Sequence, residues 1–469
     1  MNLMTEDSRK ELEILTRQIM KESSARGIAV GITDASGQIL YEQYFGWRDA
    51  ENKLPIDRDT IFGMASVTKS FTALSVMQMA KEGILNVNDM VKDYIPEFTN
   101  KNQEEPVRLW HLLCHSGGYF PLPRIVVDKT AQEMGIEDSL DNELIYREDF
   151  ADEGIRLVAE RLDSQTRFTG RPGQRLSYCN DGFGLLSDIV RRHSDCGSFA
   201  EYLEKHILKP LGMDRSNTSI IRNSLDDNAA ILYSQESDGS WRIDRDYQND
   251  AFVLHGGGGM KSTLGDMLKY AAMYLNEGCG ANGTRIIDRY SIQEMCKPRQ
   301  FMKPGVYYGY GLETKQLGDM TIVEHGGSLP GVSSNFAFCP QAGLGVVVLC
   351  NTMDVPVYAI GDAAMRACCG LPVMEEKQAH APYKWTGEEI GELAGEYVSG
   401  EGDRFTLTAA QDGLSMEVNG KPVELTPVYP WQGMVRRKYT DVYLTAVRDE
   451  DGKVFAAHYG SRVFPKIIK

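Results

Sequence analysis

The sequence lacks a long apolar run. A membrane-spanning helix needs about 18 to 20 consecutive apolar residues, and the stretch "GVVVLC" at 345–350 is as close as this chain comes. The opening "MNLMTEDSRKELEILTRQIM" carries acidic side chains and has no apolar core of the kind found in secretory signals. We therefore expect a cytoplasmic protein that does not use a membrane as its partner.

The sequence also lacks an excess of basic charge and a cysteine pattern typical of disulfides. The net charge of −16 disfavours nucleic acid and anionic membranes as partners, because both attract basic surfaces. The nine cysteines are odd in number and scattered, and Cys368 and Cys369 are adjacent. This pattern is typical of free thiols in a reducing compartment rather than of a disulfide framework.

The 469 residues are too many for one simple core, so a large domain and a smaller one are expected. Apolar spacing predicts a helix over 8–25, and "GIAVGITDASGQILYEQYFGWRD" predicts two antiparallel strands around a turn. A buried helix is expected from Ser66 to Glu82, and residues 107–215 are predicted to be mostly helical. Strands return at 320–350, before a closing helix near 356–369.

This order of elements predicts an α/β fold, in the sense of an α+β sandwich. An antiparallel sheet, with its first and last strands as neighbours, would be flanked by helices. An all-helical subdomain would be inserted at about 85–320, and the whole domain would cover 1–370. The Pro-rich and charged segment 371–392 is expected to be a linker. Residues 393–469 contain short alternating strands that predict a small, lipocalin-like β-barrel or a sandwich.

A first candidate site is the pair Ser66 and Lys69, three residues apart at the start of the predicted helix. Residues at i and i+3 share one face of a helix, so the amine is within reach of the hydroxyl. A buried lysine with a lowered pKa can take the proton of a serine and make it a nucleophile. The same spacing also occurs in ordinary helical turns, so this stretch alone leaves both interpretations open.

Two further stretches carry polar side chains suited to the same chemistry. In "PGQRLSYCNDGFGLL", Tyr178 and Asn180 point the same way if the chain is extended; a phenol can relay a proton and an amide can position a substrate carbonyl. In "VEHGGSLPGVSSNFAF", a strand leads into His325, Gly327 and Ser328, and its N–H groups could help those of Ser66 form an oxyanion hole. Each stretch by itself is also compatible with an ordinary turn.

Taken together, these stretches resemble the serine β-lactamase-like hydrolases, which include class C β-lactamases, DD-peptidases, D-aminopeptidases and related esterases. The resemblance extends from about residue 10 to 370. The segments that carry it, in chain order, are "TIFGMASVTKSFTAL", "LWHLLCHSGG", "PGQRLSYCNDGFGLL", "LKPLGMDRS", "GGGMKSTLGDMLKY", "YGYGL" and "HGGSLPGVSSNFAFCPQAGLGVVVLCN".

The resemblance implies a role for each candidate residue. Ser66 would be the acylated nucleophile and Lys69 its base partner, while Tyr178 would relay the proton or act as the base itself. Asn180 would hold the substrate amide, and the N–H groups of Ser66 and Ser328 would bind the oxyanion. His325 and Gly327 would line the substrate site. No cofactor and no metal are implied.

Two departures bear on the substrate. Lactamases usually carry Lys-Thr-Gly where this chain has His325-Gly326-Gly327, and an unperturbed histidine is mostly neutral at pH 7. The change disfavours β-lactams and favours esters, amides or short peptides. The acidic segment 135–154 would favour a cationic substrate if it rims the pocket, and is otherwise a solvated helix face. Its carboxylates include Asp141, Glu143, Glu148, Asp149, Asp152 and Glu153.

Other motifs receive plainer interpretations. His111 and His115 have a zinc-like spacing but lack the glutamate of H-E-x-x-H, so a structural turn is favoured. The glycines of "HGGGGM" at 255–260 would let the backbone pass close to the site, and no G-x-S-x-G elbow is present to indicate an α/β-hydrolase. Tyr308 and Tyr310 would line the pocket or belong to the core.

The leading functional hypothesis is a serine hydrolase that forms an acyl-enzyme on Ser66 and cleaves small amide or peptide substrates, like a D-aminopeptidase or DD-peptidase. A carboxylesterase is the first alternative and a β-lactamase the second. An alternative of another class is a penicillin-binding sensor with slow turnover. The expected partners are a small-molecule or short-peptide substrate, with a homo-oligomer left open.

Overall fold

In the computed structural model, the described residues are 4–122, 148–218, 226–236, 238–245, 255–375, 377, 380–411 and 413–467. The helices are α1 Glu6–Glu22, α2 Thr68–Lys81, α3 Leu109–Leu113, α4 Glu148–Asp163, α5 Asn180–His193, α6 Phe199–Leu203, α7 Lys209–Leu211, α8 His255–Gly258, α9 Leu264–Leu275, α10 Arg289–Cys296, α11 Val357–Cys368 and α12 Gly387–Leu393. A 3₁₀ turn at Ala65–Val67 precedes α2, another lies at Val91–Asp93, and a π-helical turn, Glu204–Leu208, joins α6 to α7.

The strands up to the end of the main sheet are β1 Gly27–Asp34, β2 Ile39–Asp49, β3 Leu54–Pro55, β4 Phe62–Gly63, β5 Leu232–Gln235, β6 Trp241–Asp244, β7 Lys261–Ser262, β8 Gln300–Lys303, β9 Val306–Tyr308, β10 Glu313–Leu317, β11 Met320–Leu329, β12 Val332–Cys339 and β13 Leu344–Cys350. The main sheet has nine strands in the order β3-β2-β1-β13-β12-β11-β10-β9-β8, and every pairing is antiparallel. Its strands β1 and β13 pair from Ile28 opposite Cys350 to Asp34 opposite Leu344, which confirms that the first and last strands are neighbours.

Helices cover both faces of this sheet. Strands β12 and β13 are buried at every position, and β13 is accordingly a nearly continuous apolar run. Strand β12 also encloses the polar residues Ser333, Ser334 and Asn335. One face packs against α1 and α11 through residues such as Leu12, Ile19 and Ile360. The other packs against α2 and α9 in a larger core that extends into the helical part. The sandwich predicted from the sequence is thus confirmed.

The helix α2 is buried nearly all round, as predicted. Twelve of its residues, Thr68 to Met79, are enclosed. It begins slightly later than expected, since Ser66 lies in the 3₁₀ turn that precedes it. This arrangement places the serine at the buried N-terminal end of the central helix.

The predicted insertion at 85–320 is not purely helical in its described part. It contains α3 to α10, but also the hairpin β5–β6 and the strands β8, β9 and β10, which extend the main sheet. The helical part therefore ends before these three strands. The later strands of the main sheet thus begin earlier in the sequence, at Gln300, than the apolar pattern predicted.

The C-terminal part consists of β14 Gly395–Val398, β15 Arg404–Ala410, β16 Gly413–Val418, β17 Lys421–Val423, β18 Leu425–Tyr429, β19 Gln432–Arg436, β20 Asp441–Arg448, β21 Val454–Tyr459 and β22 Arg462–Pro465. These strands form one sheet of four, β14 to β17, and one of five, β18 to β22. The described strands thus make two sheets around their own core, not the closed barrel that was one of the two expectations.

The C-terminal sheets pack directly against the first part of the chain. Phe120 lies in a small apolar cluster with Val447, Ala456 and Val463. The backbone of Gly400 approaches the carbonyl of Pro121 so closely that a Cβ there would lie 1.8 Å from the oxygen. The strand connections of the C-terminal part are therefore held beside the helical region. Among the described helices, none has both the length and the apolar character needed to cross a bilayer.

Candidate active site

Ser66 lies in a tight turn that the surrounding structure holds in place. The residue before it, Ala65, has φ of 46°, a left-handed conformation that is unfavourable for a residue with a side chain. The hydroxyl of Thr68 donates to the carbonyl of Ala65 at 2.6 Å and accepts the N–H of Met260 at 3.0 Å. These bonds fix the turn, so Ser66 is presented in one orientation.

The amine of Lys69 is within bonding distance of Ser66. Lys69 is fully buried, and its Nζ lies 3.1 Å from Ser66 Oγ. It also lies 2.8 Å from Asn180 Oδ1 and 2.6 Å from the carbonyl oxygen of Gly257. An ammonium has three N–H donors, which match these three acceptors. A neutral amine can still donate to Asn180 and Gly257 while its lone pair faces the serine hydroxyl.

The surroundings of Lys69 favour this neutral form. Burial is the main cause that lowers its pKa well below the usual value, and the nearby Arg462 guanidinium lowers it further. The carboxylate of Glu401 acts in the opposite direction. A lysine with a lowered pKa can accept a proton near neutral pH, as a general base must.

Tyr178 is the second titratable group beside the nucleophile. It is 7% exposed, and burial raises the pKa of its phenol, while its hydrogen bond with Ser66 acts in the opposite direction. The phenol is therefore protonated near neutral pH. The Nζ of Lys69 lies 4.8 Å from the centre of its ring. Two groups whose pKa values are shifted in opposite directions thus flank one hydroxyl, which favours Lys69 as the base and Tyr178 as the relay.

Asn180 has its amide orientation fixed from both ends. Its Oδ1 accepts from Lys69, and its Nδ2 donates to Glu401 Oε1 at 3.2 Å. Glu401 lies in the connection between β14 and β15, 221 residues further along the chain. The C-terminal part therefore reaches a residue that contacts Lys69.

Glu401 forms an ion pair with Arg462 at the start of β22. The Nε of Arg462 donates to Oε2, and its Nη2 lies 3.3 Å from Oε1. The guanidinium carbon lies 4.9 Å from the ring centre of Tyr178. The backbone N–H of Tyr178 donates to the carbonyl of Ser461 at 2.8 Å, and that of Val463 to Ser177 Oγ at 3.2 Å. Two C-terminal strand connections thus form one wall of the site.

His325 is 2% exposed, and both of its ring nitrogens have partners within the protein. Its Nδ1 lies 2.6 Å from the carbonyl of Gly326 and must donate to it, so its Nε2 accepts the hydroxyl of Tyr308 at 2.8 Å. Burial is the main cause that lowers the pKa of His325 to about 3, and the nearby Lys69 lowers it further. The histidine is therefore neutral, as its ordinary pKa already indicated, and it supports Tyr308 rather than offering a nitrogen to the pocket.

The chain of hydrogen bonds continues beyond Tyr308. Its hydroxyl oxygen lies 3.2 Å from Nε2 of His115, whose Nδ1 accepts the N–H of Cys179 at 3.2 Å. His115 therefore donates through Nε2, and the proton positions are set along the whole chain. The ring of His115 also lies 4.0 Å from that of Tyr178. This buried network packs against the ring of Tyr178.

The strand β11 passes next to the nucleophile turn. A Cβ at Gly327 would lie 2.3 Å from the carbonyl oxygen of Met64 and 2.3 Å from Ser334 Oγ, so only glycine fits there. Strand β10 pairs with β11 only as far as Glu324. The edge of β11 beyond Glu324 is consequently open on the side of Ser66. This is where an N–H of Ser328 would have to lie for an oxyanion hole.

The remaining candidates take less direct roles. Gly257 lies beside Lys69, where its carbonyl accepts from Nζ, so the backbone of α8 does pass close to the site. Gly256 instead lets α8 approach α5, since a Cβ there would lie 2.6 Å from the carbonyl oxygen of Phe183. His111 and His115 do not share a ligand site, since the Nδ1 of His111 accepts the N–H of Arg108 at 2.9 Å. Tyr310 packs under the guanidinium of Arg299 at 4.0 Å.

The acidic segment is engaged with arginines wherever its side chains are described. Asp152 pairs with Arg191 and Arg192, and Glu153 pairs with Arg156. Asp141 and Glu143 lie outside the described residues, as do the side chains of Glu148 and Asp149. The described carboxylates thus lie on a helix face and pair with arginines, as in the second of the two interpretations. Glu401, from another part of the chain, brings a carboxylate to the site.

The comparisons with known proteins agree with this geometry. The beta-lactamase family model matches residues 12–368, and the chain belongs to that family, whose fold and site define a serine hydrolase. It is similar to penicillin-binding protein 4* of Bacillus subtilis, with 24% identity over 463 residues, 95% of this chain and 96% of the relative. It is also similar to D-aminopeptidase of Gluconobacter oxydans, with 24% identity over 348 residues, 74% of this chain and 59% of the relative.

Solved structures show the same architecture over nearly the whole chain. The octameric penicillin-binding protein homologue from Pyrococcus abyssi superposes with a TM-score of 0.67 at 25% identity, over 97% of this chain and 99% of that one. The crystal structure of SurE superposes with a TM-score of 0.70 at 18% identity, over 98% of this chain and 99% of that one. The likeness in fold thus includes the C-terminal part, to which Glu401 and Arg462 belong.

Proposed function

We propose that the protein hydrolyses short peptides or amides through an acyl-enzyme on Ser66 and that its preferred substrate has a free amine, as in a D-aminopeptidase. The observation that carries the proposal is the approach of Lys69 Nζ to Ser66 Oγ at 3.1 Å in a buried setting that lowers the pKa of the lysine. A buried amine beside a serine hydroxyl supports nucleophilic catalysis.

Lys69 takes the proton of Ser66 as the serine oxygen attacks the substrate carbonyl carbon. The oxyanion that forms is held by the N–H groups of Ser66 and Ser328. The proton passes from Lys69 by way of Tyr178 to the leaving amine, whose bond to the carbonyl carbon breaks. Water then attacks the acyl carbon and gives a proton to Lys69. The ester bond to Ser66 breaks, Ser66 takes that proton, and the acid product leaves. Asn180 holds the substrate amide and keeps Lys69 in place.

The preference for an amine rests on Glu401. Its side chain is 9% exposed and belongs to the wall beside Asn180. A carboxylate accepts about four hydrogen bonds, and Arg462 and Asn180 supply three. The remaining position suits a substrate ammonium. The name of the Gluconobacter relative, D-aminopeptidase, agrees with this chemistry.

A DD-peptidase-like activity is the second candidate, and Arg462 favours it. Its guanidinium lies over Tyr178, where it could bind a substrate carboxylate if the pair with Glu401 opened. The penicillin-binding relative agrees with this alternative. A β-lactamase is less well supported, because the neutral His325 provides no cation for the lactam carboxylate.

A matched set of substrates tests the proposal. We expect a D-aminoacyl p-nitroanilide to be hydrolysed at least tenfold more efficiently than its N-acetylated form, and Glu401→Gln to remove this preference. Glu417→Gln, an exposed glutamate of the same C-terminal part, is the control. Preference for an N-acetylated peptide that ends in a free carboxylate, lost in Arg462→Gln, would instead establish the second candidate. Rapid turnover of p-nitrophenyl esters alone would identify a carboxylesterase.

Assembly, location and domain boundaries complete the proposal. A homo-oligomer is proposed because the Pyrococcus homologue is described as octameric; light scattering of the purified chain would test it. A cytoplasmic location and the division into 1–370, 371–392 and 393–469 also stay predictions. Limited proteolysis that cuts first within 371–392 would support that division.

A further inference from the structure

The loop that follows α5 brings three metal-binding side chains together, away from the catalytic residues. Asp195 and Cys196 lie in this loop, and His206 lies in the π-helical turn that joins α6 to α7. π-Helical turns inside helices are rare and often mark functional positions. The three residues play no part in the acylation chemistry described above.

The distances among the ligand atoms fit a small cation. Oδ1 of Asp195 lies 3.5 Å from Sγ of Cys196 and 3.7 Å from Nε2 of His206. All three atoms lie within 4.8 Å of one another. In a tetrahedral zinc site with Zn–S near 2.3 Å and Zn–N and Zn–O near 2.0 Å, ligand atoms are about 3.3–3.5 Å apart. Only small side-chain adjustments separate the observed arrangement from that geometry.

His206 supplies an independent indication of a ligand. Its Nε2 is enclosed and has no hydrogen-bond partner among the described residues. The imidazole is held by the ring of Tyr202, which stacks on it at 4.3 Å with an interplanar angle of 22°. An enclosed ring nitrogen without a hydrogen-bond partner is costly. A cation between it, the thiol and the carboxylate would remove that cost.

Asp195 turns one oxygen toward the other two side chains. Lys205 donates to Oδ2, while Oδ1 accepts the thiol hydrogen of Cys196 and faces His206. Cys196 is 6% exposed, whereas the side chain of Asp195 is 69% exposed. A bound ion would therefore be enclosed on the thiol side and open to one water on the other.

We propose that Asp195, Cys196 and His206 form a zinc site that stabilises the connection between α5 and α6. A thiolate, an imidazole and a carboxylate are ligands that zinc accepts, and water would complete four-coordination. Binding converts the thiol into a zinc thiolate and releases its proton to solvent. Because α5 begins at Asn180, the site would anchor the far end of the helix that carries this residue.

The test is zinc binding by the full chain after treatment with a chelator. Titration against a chromophoric zinc chelator is expected to show one tight site per chain, weakened at least 100-fold in both Cys196→Ser and His206→Gln. Cobalt in place of zinc should give a thiolate-to-cobalt absorption band in the near ultraviolet, absent from Cys196→Ser. The matched controls, Cys279→Ser and His380→Gln, should keep the site, since neither residue belongs to the cluster.

Thermal unfolding gives a second readout that does not depend on catalysis. Saturating zinc is expected to raise the Tm of the wild-type chain by about 2 °C or more and to leave Cys196→Ser unchanged, because a ligand stabilises only the state that binds it. If wild-type protein binds zinc no more tightly than Cys196→Ser, the proposal is wrong. A cobalt complex of the wild type without the thiolate band would overturn it even if the variants failed to fold.

Discussion

The guanidinium of Arg462 lies over the ring of Tyr178, 4.9 Å from its centre, although 284 positions separate the two in the chain. The same guanidinium binds Glu401, which in turn holds Asn180. One ion pair from the C-terminal part therefore contacts Tyr178 directly and reaches Lys69 through Asn180. Its two charges act on Lys69 in opposite directions, which leads to the first prediction.

Neutralising either member of the pair should move the acidic limb of the pH–activity profile. Activity requires neutral Lys69, so it rises as the pH passes the lysine pKa. Arg462 lowers that pKa and Glu401 raises it. Glu401→Gln should therefore shift the limb of kcat/KM to lower pH, and Arg462→Gln should shift it to higher pH.

The matched measurement is the profile of the double variant, Glu401→Gln with Arg462→Gln. Because the opposing charges are removed together, its limb should lie between those of the single variants. Shifts of both single variants in the same direction would contradict the electrostatic explanation.

Removing the nucleophile should abolish activity without unfolding the chain. Ser66→Ala deletes one hydroxyl from a half-buried position, so its Tm should stay close to that of the wild type. Lys69→Ala should lower kcat by about 10²-fold or more, because it removes a general base. A loss below about tenfold in Lys69→Ala would assign the base role to Tyr178. Ser36→Ala, in the turn between β1 and β2, is the control for serine replacement.

Two neighbouring glycines should respond very differently to alanine. A Cβ at Gly327 meets Met64 O and Ser334 Oγ at 2.3 Å, so Gly327→Ala must push β11 away from the nucleophile turn. Since loss of one oxyanion donor costs about 10²- to 10³-fold in kcat, a decrease of that order is expected. At Gly326 the nearest atom is 3.8 Å away, and the loss should stay below tenfold. Equal decreases of kcat in the two variants would show that β11 does not contribute to the oxyanion site.

Acid should destabilise the protein partly through His325. Its pKa is about 3 in the folded state and about 6.5 when unfolded, so the unfolded chain binds the proton more readily between these values. Stability is therefore intact above pH 6.5 and is lost as the pH falls toward 3, by about 1.4 kcal/mol per pH unit for this one group. Urea unfolding at several pH values should show a shallower dependence in His325→Gln. His380→Gln, outside the buried network, should keep the wild-type slope.

The sequence was sufficient to predict the residues around Ser66. Lys69, Tyr178 and Asn180 belong to short stretches whose spacing and resemblance are visible in the sequence. The structure places Lys69 and Tyr178 beside the Ser66 hydroxyl and Asn180 beside Lys69. The first and last strands of the sheet were also predictable. Strand β1 was predicted as one of two strands around a turn, and β13 from a nearly continuous apolar run, which marks a strand buried on both faces.

Glu401 and Arg462 could not be predicted, because their role depends on how two strand connections of the C-terminal part meet the helical region. No local spacing encodes a contact across 221 residues. His325 was expected at the substrate, but its ring nitrogens are occupied by Tyr308 and Gly326. The hydrogen bonds that link His325 through Tyr308 to His115 depend on which ring nitrogen each partner reaches. That choice is set by the folded geometry and not by the sequence pattern.

The contact of Glu401 with Asn180 also has a consequence during synthesis. The ribosome makes Ser66, Lys69 and Tyr178 long before it reaches Arg462, so a growing chain holds the acylating group without one wall of its pocket. The ion pair that adjusts Lys69 exists only once β22 has been added. The site thus gains this wall only after Arg462 has been made and β22 has paired with β21.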